Sequence, residues 1–123
     1  MEEVSDYKNL PLWKQAMALA HAVYATVEEA GLRGSPAGSG LRKAAVSVPS
    51  LVGEAFLDLS DRDSDEALTL ASSKLCEVAR LLSEEPSLSP IPGPDRTALL
   101  AAVDALRSEL EGIQADRSAA PQN

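Results

Sequence analysis

The sequence predicts an all-α protein folded as an antiparallel, up-down-up-down four-helix bundle. Three observations carry this expectation. Apolar residues recur at alternating three and four spacing in four stretches, and no segment sustains the apolar/polar alternation of a strand. The breakers Gly and Pro fall between those stretches. Aromatics make up only 3% of a chain that is 45% hydrophobic, so its apolar content is mostly Ala, Leu and Val, a blend suited to closely approaching helices. At 123 residues the chain is expected to be one domain, which buries roughly two thirds of its unfolded surface.

The first helix is expected over 9–31. Asn9 is the cap candidate, Pro11 falls in the first turn where its missing N–H does no harm, and Gly31 is the stop. Leu12, Ala16, Leu19, Val23 and Ala30 form one stripe; Trp13, Met17, Ala20, Tyr24 and Val27 form a second beside it. Two stripes make a face wider than one partner helix needs. From Gly31 to Gly40 the chain is rich in breakers and reads as an exposed, mobile loop. It lacks the Gly-Lys-Ser/Thr triplet and preceding strand of a phosphate loop.

The second helix, expected over 41–59, is the most telling segment. Leu41, Ala45, Val48, Val52, Ala55 and Leu59 share a face, Ala44, Leu51 and Phe56 lie nearby, and Glu54 is the one charge between Ala44 and Leu57. Such a composition requires cover on most sides. Pro49 inside it removes one helical hydrogen bond, predicting a kink with Ser47 or Ser50 serving the freed carbonyl, or else two short helices meeting there.

The third helix, expected over 64–85 with Ser64 or Asp63 as its cap, carries Leu68, Ala71, Leu75, Val78 and Leu82 as the seam of a bundle helix, and Pro86 ends it. Asp61, Asp63 and Asp65 match the opening of a calcium loop, but its sixth position is Glu66 instead of Gly and its twelfth is Ser72 instead of Glu, so a solvated helix start is the preferred reading. The fourth helix, expected over 94–116, turns Leu99, Val103, Leu106, Leu110 and Ile113 inward and Asp104, Arg107, Ser108 and Glu111 outward. The polar tail 117–123 is expected to be disordered.

Charge and cysteine content narrow the function classes. The net charge is −8, and residues 58–123 hold six Lys/Arg against thirteen Asp/Glu. An acidic surface argues against a broad nucleic-acid footprint, leaving a local basic cluster at Arg33, Arg42 and Lys43 as the candidate nucleic-acid patch, with Lys8 and Lys14 as potential neighbours and no stacking aromatics expected there. The single Cys76 excludes an intramolecular disulfide, and the acidic start shows neither the basic n-region nor the apolar h-region of a signal peptide, so a cytoplasmic location is expected. No apolar run approaches the ~20 residues of a membrane span.

Catalysis needs a nucleophile with a base, or a metal cluster, converging in a pocket. The lone His21 falls off the apolar stripes and reads as a surface residue, and Cys76 as a small packed one. No enzyme activity, cofactor or metal is expected. Glu54, with Asp58 one turn on, is the candidate polar or channel site; the bland alternative is a solvated carboxylate, or one bonded to Arg42, Lys43 or another subunit. Trp13, Tyr24, Val48, Leu51 and Phe56 are expected among core or interface anchors.

Two segments carry a family resemblance, and a third supports it. Leu10-Pro-Leu-Trp-Lys-Gln-Ala16 is similar to a Leu-x-x-Trp-x-x-Ala start, with Val23-Tyr24 following. Lys43-Ala-Ala-Val-Ser-Val-Pro-Ser-Leu-Val-Gly-Glu-Ala55 is similar to Arg-Ala-x-x-Ser-Ile-Pro-x-Asn-Ile-Ala-Glu-Gly. Ala71-Ser-Ser-Lys-Leu-Cys-Glu77 is similar to Ala-x-Gly-Ser-Leu-x-Glu. These motifs resemble the bacterial four-helix-bundle family also called 23S rRNA intervening-sequence proteins, which includes the accessory variability protein of diversity-generating retroelements. Departures are Leu51 at the family's Asn, Ala55 at its Gly, and Ser73-Lys74 at its Gly-Ser pair.

The resemblance implies a four-helix bundle with no defined catalytic activity, assembled as a homo-oligomer, most often a ring of five around a channel. The function expected is thus a non-catalytic homo-oligomeric scaffold or accessory protein that partners itself. The alternative is a nucleic-acid-associated accessory protein serving a reverse transcriptase or ribosomal RNA, by analogy with the retroelement member, whose basic charge this chain lacks.

Overall fold

The computed structural model describes residues 8–57 and 61–119, apart from the side chains at 61 and 117–119. Among these residues there are four α-helices and no strand: α1 (Pro11–Glu29), α2 (Pro36–Ala55), α3 (Asp61–Glu84) and α4 (Gly93–Ala119). Each packs on the next in sequence, and α4 returns against α1. The result is the antiparallel four-helix bundle the periodicity predicts, with α1 diagonal to α3 and α2 diagonal to α4.

The core follows the apolar stripes. Leu12, Ala16, Leu19, Val23 and Val27 of α1 meet Leu41, Ala45, Val48 and Val52 of α2, with Leu68, Ala71, Leu75, Val78 and Leu82 of α3 and Leu99, Val103, Leu106 and Leu110 of α4. A fully buried leucine stabilises by roughly 2 kcal/mol. The ion pairs are exposed, such as Arg62–Glu66 at 3.7 Å and Arg107–Asp104 at 3.9 Å, and pairs of that kind contribute about 0–1 kcal/mol. Aliphatic packing therefore dominates.

The helix ends correct several expectations. Asn9 does not cap α1: Leu10 holds the N-cap position with no side-chain bond, and Pro11 opens the helix without needing a donor partner. At the other end, Gly31 adopts a φ of 73° just beyond the C-cap Ala30. Its N–H bonds Glu28 O at 3.1 Å while Leu32 N–H bonds Val27 O at 2.9 Å, and the Leu32 side chain is buried. This is a Schellman turn with its apolar residue tucked under the helix.

The loop expected over 31–40 is half as long, because α2 begins five residues earlier than predicted. Ser35 caps it, accepting Gly38 N–H at 2.9 Å while its own hydroxyl donates to Leu32 O at 3.0 Å, and Pro36 follows at the first helical position. Gly38 reads as a breaker but serves close packing: a Cβ there would stand 2.1 Å from the Leu32 carbonyl oxygen. Gly40 has open space around its Cβ position.

α2 is continuous through Pro49, with no division into two helices. Ser47 does not serve the carbonyl that Pro49 frees; its hydroxyl bonds Lys43 O, one turn back from itself, at 2.8 Å. The helix ends at Ala55, short of the expected 59, and Leu59 lies outside the described residues. The end of α2 is met by Ser64. α3 starts at Asp61, so Ser64 does not cap it; buried inside its first turns, the hydroxyl instead donates to Ala55 O at 2.6 Å. It thereby satisfies one of the last carbonyls of α2.

A second cross-link lies between α3 and α4. The Arg96 guanidinium donates to Leu82 O near the end of α3, to Leu88 O in the 3-10 turn Pro86–Leu88 at 3.0 Å, and to Ile91 O at 2.9 Å. Leu88 and Ile91 are buried beside it. The polypeptide between the helices is thus pinned by one cation and two apolar side chains. α4 then runs to Ala119, so 117–119 of the expected disordered tail are helical, as no Gly or Pro interrupts them; 120–123 lie outside the described residues.

Two stability measurements follow. Gly38→Ala should destabilise by about 2 kcal/mol, as overpacking against fixed backbone does, whereas Gly40→Ala should stabilise by up to ~1 kcal/mol; urea midpoints of the two variants should move in opposite directions. Ser64→Ala leaves the buried Ala55 carbonyl without that donor and should cost about 1–3 kcal/mol with an unchanged urea m-value.

Candidate functional site

On the described surface, the α1–α2 side departs in its chemistry from a solvated bundle. Four large hydrophobic side chains are substantially exposed, and three lie on α1, on α2 or two residues beyond its end: Tyr24 at 46%, Val46 at 43% and Leu57 at 39%. The fourth, Leu70 of α3 at 51%, stands apart among Arg62, Asp65, Glu66 and Thr69. Between α1 and α2 an open groove is lined by Trp13 and Met17 on one side and by Val46, Pro49, Gly53 and Leu57 on the other, with Ser50 and Glu54 as its polar rim.

This geometry follows from how α2 is covered. Its inner residues are taken up by α1 and α3, and Gly38, Ala44, Ala45, Gly53 and Ala55 are buried there, small enough to let helix axes draw together. The rest of the helix surface is open. The expectation of cover on most sides thus holds for two sides: Lys43, Val46, Ser50, Glu54 and Leu57 all face outward. α1 is likewise covered along its first stripe, whereas its second is split: Ala20 and Val27 are buried, Trp13 and Met17 partly buried, Tyr24 exposed.

The five expected anchors separate accordingly. Val48 is fully buried in the core; Leu51, Phe56 and Trp13 are partly buried against it; Tyr24 is at the surface. Glu54 is exposed and pairs with neither Arg42 nor Lys43 among the described residues. Asp58, its proposed companion, lies outside the described residues.

The basic cluster is partly spent within the chain. Arg33 reaches Glu28 at 3.7 Å across the α1–α2 turn, both side chains well exposed. Arg42 lies over the Tyr24 ring, its guanidinium carbon 5.1 Å from the centroid, with its Nε enclosed and unbonded. This corrects the expectation that no aromatic accompanies the cluster: Tyr24 and Arg42 belong to helices that sequence distance alone does not join. Lys43 points outward without an ion pair among the described residues. Lys8 and Lys14 are exposed.

The residue types that carry catalysis are held apart. His21 is exposed on α1, in a shallow strip with Tyr24, Ala25, Glu28 and Glu29. Cys76 is exposed on α3, not packed as expected, because it follows the seam residue Leu75 around the helix toward solvent. α1 and α3 are diagonal in the bundle, so outward residues on them face different directions. Asp61, Asp63 and Asp65 sit on helical backbone in α3, and among the described residues no three His, Cys, Asp or Glu side chains gather as metal ligands.

A second apolar surface lies between α1 and α4, where Gln15, Ala18 and Ala22 face Ala98, Ala102 and Ala105 over Leu19, Leu99 and Leu106. No helix among the described residues is long and apolar enough to cross a membrane. The class that this fold defines is the all-α four-helix bundle. Compared with known proteins, the chain matches no family model and no curated sequence.

Exposure of Cys76 gives a direct check on the register of α3: in native protein without denaturant, Ellman's reagent should titrate one thiol per chain at a rate within about tenfold of a free cysteine.

Proposed function

We propose that the protein is a non-catalytic homo-oligomeric scaffold or accessory protein of the cytoplasm, and that copies associate through the outer face of α1 and α2. The observation carrying this reading is the groove that exposed Val46 and Leu57 form with Trp13 and Met17, with Tyr24 exposed farther along α1 and Glu54 the one carboxylate of α2. Contiguous apolar surface on a soluble chain marks an interface, because leaving it in water forfeits about 25 cal/mol per Å². The resemblance to intervening-sequence proteins implies five copies.

A second reading has its own observation. The Arg42–Tyr24 pair joins a cation to an aromatic ring at the surface, the elements from which single-stranded nucleic acid is bound by stacking and phosphate contact. On that reading the protein is an accessory of a reverse transcriptase or of ribosomal RNA. The net charge of −8 opposes it, since long-range repulsion of phosphate has to be overcome locally.

Size-exclusion chromatography with light scattering and dual-wavelength absorbance, on protein purified without nuclease, separates the two. A discrete multiple of the 12.9 kDa chain with protein-like absorbance is the expected result. A monomer at all concentrations would overturn the scaffold. Excess absorbance at 260 nm that salt removes, and that an Arg42→Ala, Lys43→Ala double variant loses, would establish the second reading in its place.

A further inference from the structure

The outward stripe of α2 has a charge pattern that matches its own reverse. Lys43 and Glu54 are eleven residues apart, close to three full turns, so they share a face and are separated by about 16 Å along the axis. Both are exposed, and among the described residues neither is in an ion pair. Between them the stripe carries Val46, Ser47 and Ser50 and no charge.

The placement is unfavourable within a single chain. Glu54 lies in the last turn of α2, the negative end of the helix dipole, which disfavours a carboxylate. Nothing in α2 offsets this. A second copy of the helix laid antiparallel would bring its own N-terminal half, with Lys43, to that position; a parallel copy would set like charges together.

We propose that α2 packs on α2 of a second copy in antiparallel, two-fold register, Lys43 of each chain beside Glu54 of the other. This rests on the self-association reading above and specifies its geometry. The same register sets Ser47 opposite Ser50, small side chains at the crossing that let the axes approach toward the lower end of the 8–10 Å range. The groove residues Trp13 and Met17 flank the contact. A contact of this kind uses the same patch on both partners, whereas a ring of five closes through two different patches. The assembly therefore contains an even number of chains, in place of the five that the resemblance implies.

Charge reversal tests the register. Lys43→Glu and Glu54→Lys each place like charges at both ends of the contact, and each variant alone should associate about tenfold more weakly, or worse, than the parent chain by sedimentation velocity. Mixed in equal amounts, the two variants should recover association, because the mixed pair has opposite charges at both ends; the Lys43→Glu, Glu54→Lys double variant should recover it alone. Both positions are exposed, and circular dichroism checks that helicity is kept. A five-chain mass, single variants that associate like the parent, or a mixture that fails to recover would overturn the two-fold contact while the scaffold reading stands. A monomeric parent chain would overturn both.

Discussion

The structure depends on the closeness with which α2 is seated between α1 and α3. Gly38, Ala44, Ala45, Gly53 and Ala55 are buried on it, and with residues that small the distance between axes is set by backbone rather than by side chains. The first turn of α2 touches the polypeptide leaving α1, where the Leu32 carbonyl fills the space that any side chain at 38 would need. Larger residues then fill the space between: Leu41, Val48 and Val52 of α2 against Leu19, Val23 and Val27 from α1 and Leu68, Leu75 and Val78 from α3. Small residues on α2 beside larger ones from all four helices give an interior of interlocking aliphatic groups with few aromatics.

Seating α2 this way leaves its ends and its outer side to be dealt with. The ends are handled by polar groups borrowed from elsewhere in the chain: Ser35 closes the start, and Ser64, nine residues beyond Ala55, closes the finish with the Ala55 carbonyl as its acceptor. Arg96 does the equivalent for the α3–α4 connection, serving three carbonyls with one guanidinium. Each of these bonds exchanges one with water and so adds modestly to stability, yet loss of one leaves a backbone group poorly solvated, which is the larger effect. The outer side of α2 has no such remedy inside a single chain. Val46 on it and Leu57 beyond its end stay exposed, and Glu54 stands at the end of the helix where the dipole disfavours a carboxylate.

Much of this was legible before the structure. The seams of α3 and α4 were readable residue by residue, because a helix covered on one side writes that side as a plain three-and-four alternation. Gly31 was readable as a stop, since only a residue without Cβ adopts its positive φ cheaply. What misled was Gly38: a glycine in a run of Gly, Ser and Pro reads as a flexible loop, whereas here it marks a backbone contact in the first turn of a helix. The role of Ser64 was hidden for a related reason, as its acceptor belongs to a different helix. Arg96 carried a faint signal, a cation in the first turn of α4 where the dipole disfavours one, and that anomaly is what a specific set of acceptors explains.

The sequence by itself determined the class of fold, the number of helices among the described residues and nearly all of the core, because periodicity and the spacing of breakers are local properties that burial must obey. It also marked α2 as the helix with too little charge for free exposure. Only the tertiary structure decided which of the apolar positions remain outside, that Tyr24 and Arg42 stack, that His21 and Cys76 stand on opposed helices, and which side of α2 its two neighbours leave open. Those outcomes depend on the rotation of each helix about its axis and on which helices are neighbours. Both are settled by the packing of all four helices at once, which no single stretch of the chain contains.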